Sequence, residues 1–126
     1  MMLHIISVGI GGLIGSILRY ITSLELNSML SETFIPLGTL LVNVVGSFLL
    51  GFIMQIAIRM TMNPYLKLFL TTGIMGGLTT FSTMSYETFA LITHAQYLSA
   101  FLNIMLNVVL GLSASFGGSL LATILL

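Results

Sequence analysis

Residues 71–85 read TTGIMGGLTTFSTMS, from Thr71 to Ser85, with three glycines and seven hydroxyl side chains in one short run. The run lies inside an otherwise apolar segment, so its residues belong at bilayer depth. Glycine costs a helix about 1 kcal/mol per position relative to alanine, and threonine is only a middling helix former. The stretch therefore predicts a helix broken between about Gly73 and Thr80. Non-helical backbone at membrane depth survives only where protein buries it or a watery cavity bathes it, because lipid satisfies neither N–H nor C=O. Small residues also let helices pack closely, but broken transmembrane helices commonly build ion sites, and the clustering favours that reading.

Composition supports placing the run in a membrane. Of 126 residues 57% are hydrophobic and 5% charged, with three Lys or Arg, three Asp or Glu and a mean hydropathy of +1.17. A soluble domain would carry charge on about a quarter of its residues. A transmembrane helix takes roughly 20 apolar residues, so the chain reads as a single domain, residues 1–126, of about four spans. The three dispersed cations, Arg19, Arg59 and Lys67, form no basic patch, which excludes nucleic-acid binding. The absence of cysteine excludes disulfides and thiolate metal sites. Nothing basic precedes the first apolar stretch and no small-residue cleavage site follows it, so it reads as a retained helix rather than a signal peptide.

Working outward, helix 1 is expected from about Leu3 to Leu24, a polar connection over Glu25–Thr33, and helix 2 from Pro36 to about Ile58. Asn63-Pro64 marks a turn. The third segment extends to about Thr93, and the fourth begins at Ala95-Gln96. On helix 2, Thr39, Asn43 and Gly46 share a face; on helix 4, Asn103, Asn107, Gly111, Ser115 and Ser119 recur every four residues. Interhelical hydrogen bonding explains any single asparagine, but several stripes converging in so small a bundle point to a shared polar pathway. Arg19 and Glu87 are the ionisable groups nearest membrane depth, where a charge is a functional candidate. Arg19, near the expected helix end, also has the reach to snorkel to the headgroups. His4 and His94 have no ligand partner at helical spacing and read as interfacial, and no serine has a neighbouring base, so no enzyme site is expected. Two cations on one side against one on the other specify orientation only weakly. That balance permits insertion both ways and an antiparallel dimer.

The motifs Gly11-Gly12-Leu-Ile-Gly15 with Arg19-Tyr20, Gly38-Thr39-Leu-Leu-Val-Asn43-Val-Val-Gly46 and Gly73-Ile-Met-Gly76-Gly77-Leu-Thr79-Thr80-Phe81-Ser82-Thr83 resemble the Fluc (CrcB) fluoride channels. The resemblance covers all four helices. It implies an all-α membrane protein with a broken third helix, assembled as an antiparallel dual-topology homodimer. Such a dimer conducts fluoride passively out of a microbial cytoplasm through two pores in the inner (plasma) membrane, with a structural Na⁺ at its centre. It places the Na⁺ on the backbone carbonyls of Gly76 and Thr79 from both subunits, and the fluoride pathway on Asn43, Thr80, Phe81, Ser82, Thr83 and Glu87. Asn107 joins them from the helix 4 track, and Arg19 serves electrostatically.

Two positions depart from the family pattern. Met84 stands where a second phenylalanine is usual, one turn from Phe81, and Leu110-Gly111 replaces a Gly-Ser pair, leaving Ser113 or Ser115 as the helix 4 hydroxyl. Two other readings compete. A small multidrug-type exporter would need a carboxylate inside helix 1, and none precedes Glu25. A non-transporting membrane subunit would leave the Gly76–Phe81 run without a purpose.

Overall fold

Helices form wherever the sequence offers unbroken apolar, straight-chain residues, and the computed structural model, which describes residues 1–30 and 33–126, has no strand among them. The elements are α1 (Met2–Met29), α2 (Leu37–Arg59), α3 (Pro64–Leu68), a π-helical segment (Phe69–Met75), α4 (Gly76–Leu78), α5 (Phe81–Thr93) and α6 (Tyr97–Leu125). Three of them, α1, α2 and α6, are long and apolar enough to cross a membrane. The third helical stretch, residues 64–93, is the interrupted one. Asn63 caps α3 by accepting the Tyr65 N–H at 2.9 Å, with Pro64 in the first helical turn.

The end of α1 corrects the sequence expectation. The helix continues through Glu25 to Met29 instead of stopping at Leu24, so only the remainder of the expected polar connection lies outside it. The extension packs on the start of α2: a Cβ at Gly38 would come within 2.7 Å of Asn27 Oδ1 and 3.1 Å of the Ser23 carbonyl. A consequence is that Arg19 sits well inside α1, not at its end.

Contacts rise together in number along two helix pairs. Gly11 lies against Phe69 and Gly73, Gly15 against Ile74 and Leu78, so α1 runs parallel to the broken stretch. Asn43 meets Asn107, Ser47 meets Ser115 and Gln55 meets Thr123, so α2 runs parallel to α6. Both pairs approach backbone to backbone. A Cβ at Gly73 would sit 2.8 Å from Gly11 Cα, and one at Gly51 or Gly118 would collide with the Ser115 or Phe48 carbonyl of the facing helix. The apolar core is small, Val42, Met75 and Leu78 with Leu49, Leu50, Ile53 and Ile74 packed on it. Most large side chains, among them Phe81, Tyr86, Leu112 and Phe116, face outward, as expected of a protein whose solvent is lipid or another helix.

Candidate functional site

The break lies where the sequence placed it, but the residues that make it are threonines. Gly76 and Gly77 remain helical, and Thr79 (φ −82°, ψ 151°) and Thr80 (φ −150°, ψ 122°) take extended backbone. The glycines serve packing instead: a Cβ at Gly77 would lie 2.7 Å from the Gly12 carbonyl and 2.9 Å from the Ser16 N. The close-packing explanation therefore holds for Gly73 and Gly77, and the ion-site explanation concerns the two residues that follow.

An extended pair inside a membrane helix must find partners for its backbone: the Thr79 N–H still reaches the Met75 carbonyl, and Asn43 serves Thr80. Its Oδ1 accepts the Thr80 N–H at 2.8 Å and its Nδ2 donates to the Thr80 carbonyl at 3.1 Å. The asparagine thus pairs with Thr80 as a neighbouring strand would. Thr80 then caps α5, its Oγ1 accepting the Thr83 N–H at 3.2 Å and donating to Thr83 Oγ1 at 3.0 Å, with Ser82 Oγ at 3.4 Å. Three hydroxyls of the expected pathway are thereby gathered at one point.

Asn43 also joins a longer chain. Its Nδ2 donates to Asn107 Oδ1 at 2.8 Å, and Asn107 Nδ2 donates to Asn103 O at 2.9 Å and to Asn103 Oδ1 at 3.2 Å. Asn103 Nδ2 donates to Thr88 Oγ1 at 3.0 Å, and Thr88 Oγ1 donates to the Met84 carbonyl at 2.8 Å. Asn103 has no exposed surface at all. Thr39 Oγ1 donates to Glu87 Oε1 at 2.6 Å, while Glu87 Oε2 is buried without a hydrogen-bond partner. Glu87 lines an open cleft of about 390 Å³ with Pro36, Leu91, His94 and Gln96. At its rim His94 is tied to its own helix, its Nδ1 lying 2.7 Å from the Ala90 carbonyl. A second groove, about 320 Å³, is lined by Ser16, Arg19, Tyr20, Ser23, Thr80 and Thr83.

Some expected members stand apart. Phe81 and Met84, one turn apart, do not share a surface: Phe81 is 79% exposed and Met84 7%, and the Met84 carbonyl accepts from Thr88 of its own helix and lies 3.5 Å from Asn103 Nδ2 of α6. Ser115 does not reach the asparagines, since its Oγ donates to the Ser47 carbonyl at 3.0 Å. Ser113 is exposed. Arg19 Nη1 lies 3.4 Å from the Thr79 carbonyl, so it addresses the break and does not snorkel. Thr88 escaped the sequence reading altogether. Its signal, a threonine one turn beyond Met84, looks like any helical threonine until α6 is placed beside it.

The Gly76 and Thr79 carbonyls lack helical partners for a visible reason. The Thr80 N–H that would serve Gly76 goes to Asn43, and the Thr83 N–H that would serve Thr79 goes to Thr80 Oγ1. Among the described residues no three His, Asp or Glu side chains cluster to hold a metal. The oxygens offered here are therefore backbone ones, a donor set suited to a hard cation.

A helical membrane protein with an amide-clasped break in its third stretch, an arginine on the Thr79 carbonyl and a partly buried glutamate further along α5 fits the broad class of ion-handling membrane proteins. The particular family is given by similarity: a family model described as CrcB-like protein, Camphor Resistance (CrcB), matches residues 6–119, and the chain belongs to that family. It is 44% identical over 111 residues to a protein of Campylobacter fetus subsp. fetus, covering 88% of this chain and 87% of the other. It is 51% identical over 109 residues to one of Clostridium novyi, covering 86% and 83%. A third relative, from Methanococcus maripaludis, is 44% identical over 108 residues, covering 85% of each. All three are named fluoride-specific ion channel FluC.

Proposed function

We propose that this chain is the subunit of a fluoride channel, a multi-pass membrane protein that lets fluoride leave the cytoplasm down its gradient, and not an enzyme. The observation that carries the reading is the Asn43 clasp on Thr80: it holds a break open at membrane depth inside a chain whose relatives are named fluoride-specific ion channels. Fluoride is small and strongly hydrated, so a pathway must return several hydrogen-bond donors for the water it removes. Hydroxyls of Thr80, Ser82 and Thr83, side-chain amides of Asn43 and Asn107, and the positive ring edge of Phe81 provide donors without a full positive charge that would trap the ion. Arg19 at the Thr79 carbonyl and Glu87 in its cleft flank this region with opposite charges.

The working unit is an antiparallel homodimer with two pores, in the plasma membrane. Support comes from the exposed side of the break, where Phe81 projects outward, and from Gly9 and Gly12, whose missing Cβ atoms would meet nothing within 4 Å. These open positions leave room for a second copy. The weak cation bias permits both orientations. The carbonyls of Gly76 and Thr79 from two subunits are the groups that would hold a central Na⁺. When bound, the ion supplies positive charge that neutralises converging carbonyl ends and ties the two chains together. This chain's own residues orient those carbonyls: Asn43 and Thr80 withdraw their helical partners, and Arg19 Nη1 lies 3.4 Å from the Thr79 carbonyl oxygen.

The test is fluoride efflux from liposomes containing purified protein, with chloride as the control anion and assembly checked by size-exclusion chromatography. Fluoride efflux with little chloride is the expected result. Assembled protein that passes neither ion would return the chain to the non-transporting reading.

A further inference from the structure

The asparagine chain has a direction, and that direction is fixed at both of its ends. At one end the Thr80 backbone allows the Asn43 amide a single orientation, since Oδ1 must face the N–H and Nδ2 the carbonyl. At the other end Thr88 spends its hydroxyl proton on the Met84 carbonyl, so toward Asn103 it is only an acceptor and demands the Asn103 Nδ2. Asn103 must then offer Oδ1 to Asn107, and Asn107 must offer Oδ1 to Asn43. The two ends impose the same polarity.

This polarity leaves an arriving anion no free amide donor on Asn43 or Asn107. One hydrogen of Asn43 Nδ2 goes to the Thr80 carbonyl and the other to Asn107 Oδ1, while Asn107 spends both of its own on Asn103. An anion gains an amide hydrogen at Asn43 only by displacing Asn107 Oδ1 as its acceptor. Resting on the fluoride reading above, we infer that this exchange is a selectivity step and that Thr88, through Asn103, is a specificity-determining positioning residue. Fluoride, the smallest halide and the strongest hydrogen-bond acceptor among them, outcompetes an amide oxygen. Chloride, larger and a weaker acceptor, gains less than it breaks. Discrimination thus comes from a bond that the wrong ion fails to replace, a cost placed against the competitor.

Thr88 is 5% exposed and meets Asn103, not the pathway. Without the Thr88 hydroxyl, Asn103 Nδ2 keeps only its 3.5 Å contact with the Met84 carbonyl, and the amide is free to turn. Asn107, still held by the Asn103 backbone carbonyl, then faces Asn103 Nδ2 in place of Oδ1, and one of its amide hydrogens is left without an acceptor. Any small anion is welcome at such a site.

Thr88→Val removes the hydroxyl and keeps the shape, and Thr88→Ser keeps the hydroxyl. In liposomes, assembled Thr88→Val should show chloride efflux relative to fluoride raised by roughly tenfold, the scale of one lost hydrogen-bond competition. Thr88→Ser should keep the wild-type ratio. An unchanged ratio in assembled Thr88→Val overturns the inference. A measurement on the unmodified protein serves if the valine variant does not assemble: fluoride should shift the Asn43 side-chain amide resonances, and chloride at the same concentration should not. Equal responses to both ions also overturn it. Fluoride efflux with an unchanged ratio strikes this inference alone, whereas a wild-type dimer without fluoride efflux removes the channel reading and this inference with it.

Discussion

The parallel pair α2 and α6 carries two polar clusters, and they differ in what they are joined to. Beside the break, Asn43, Asn107 and Asn103 link two helices to the backbone of a third that has lost its own hydrogen bonds. Toward the far end, Gln55 Nε2 donates to Thr123 Oγ1 at 3.0 Å, Ser119 Oγ lies 3.5 Å from Gln55 Oε1, and Arg59 Nη1 lies 3.4 Å from the Thr123 carbonyl. Those groups join two intact helices whose backbones need nothing from them. The same residue chemistry is glue in one place, worth about 0.6 kcal/mol per pair in membranes. In the other it holds the extended Thr80 backbone, and under the proposed function it borders the fluoride pathway.

The sharpest test of that contrast removes the clasp. Asn43→Leu deprives the Thr80 N–H and carbonyl, together with Asn107 Oδ1, of their partner. At about 1–3 kcal/mol for each of these three polar groups left unsatisfied, a loss of roughly 3–9 kcal/mol of stability before any relaxation, and of all fluoride flux, is expected. Denaturation in detergent and liposome efflux measure the two effects. A variant of wild-type stability would place the support of the break elsewhere.

Removal of Na⁺ comes next in size. If the Gly76 and Thr79 carbonyls hold the ion between two chains, saturation at a hundred times the dissociation constant adds about 2.7 kcal/mol to the assembly. Exhaustive exchange into a large organic cation should therefore lower the melting temperature and favour the monomer. The Gln55 cluster, made of neutral side chains and one arginine, predicts no such dependence. An unchanged melting temperature and oligomeric state would count against the cation.

A smaller effect belongs to the ring outside the break. Phe81→Ile keeps bulk and removes the positive ring edge, at the low end of the roughly 1.5–3 kcal/mol scale of hydrogen bonds to charged groups. Expressed in the barrier, that is about a tenfold loss of flux. The companion exchange Met84→Phe now reads differently than the sequence suggested. Met84 is buried, so the larger ring must overpack, at about 1–3 kcal/mol of stability, and the cost should appear in the melting temperature. Full flux in Phe81→Ile would take the ring out of the pathway.

The smallest change is expected at the far cluster. Gln55→Leu should alter stability by less than about 1 kcal/mol and leave fluoride flux within twofold of wild type. A large loss of flux there, with the dimer intact, would break the comparison by making the far cluster part of the pathway.

The sequence by itself determined the solvent and the location of the break. Six charged side chains in 126 residues leave no alternative to a bilayer, and a run of glycines and hydroxyl residues is a weak enough helix former to mark where the break falls. It also placed Asn43 and Asn107 on polar faces, because a period of about four residues is a property of one helix. What it could not decide were facts about two helices at once. Propensity pointed to glycines as the breakers, yet Gly73 and Gly77 are held helical by close contact with α1, and the extended pair is Thr79 and Thr80, where Asn43 takes up the Thr80 N–H and carbonyl. Spacing put Phe81 and Met84 on one face, but only the position of α6 decided that one is buried and the other exposed. The role of Thr88 and the polarity of the asparagine chain are likewise tertiary facts, since a hydrogen bond's direction depends on what stands at its far end.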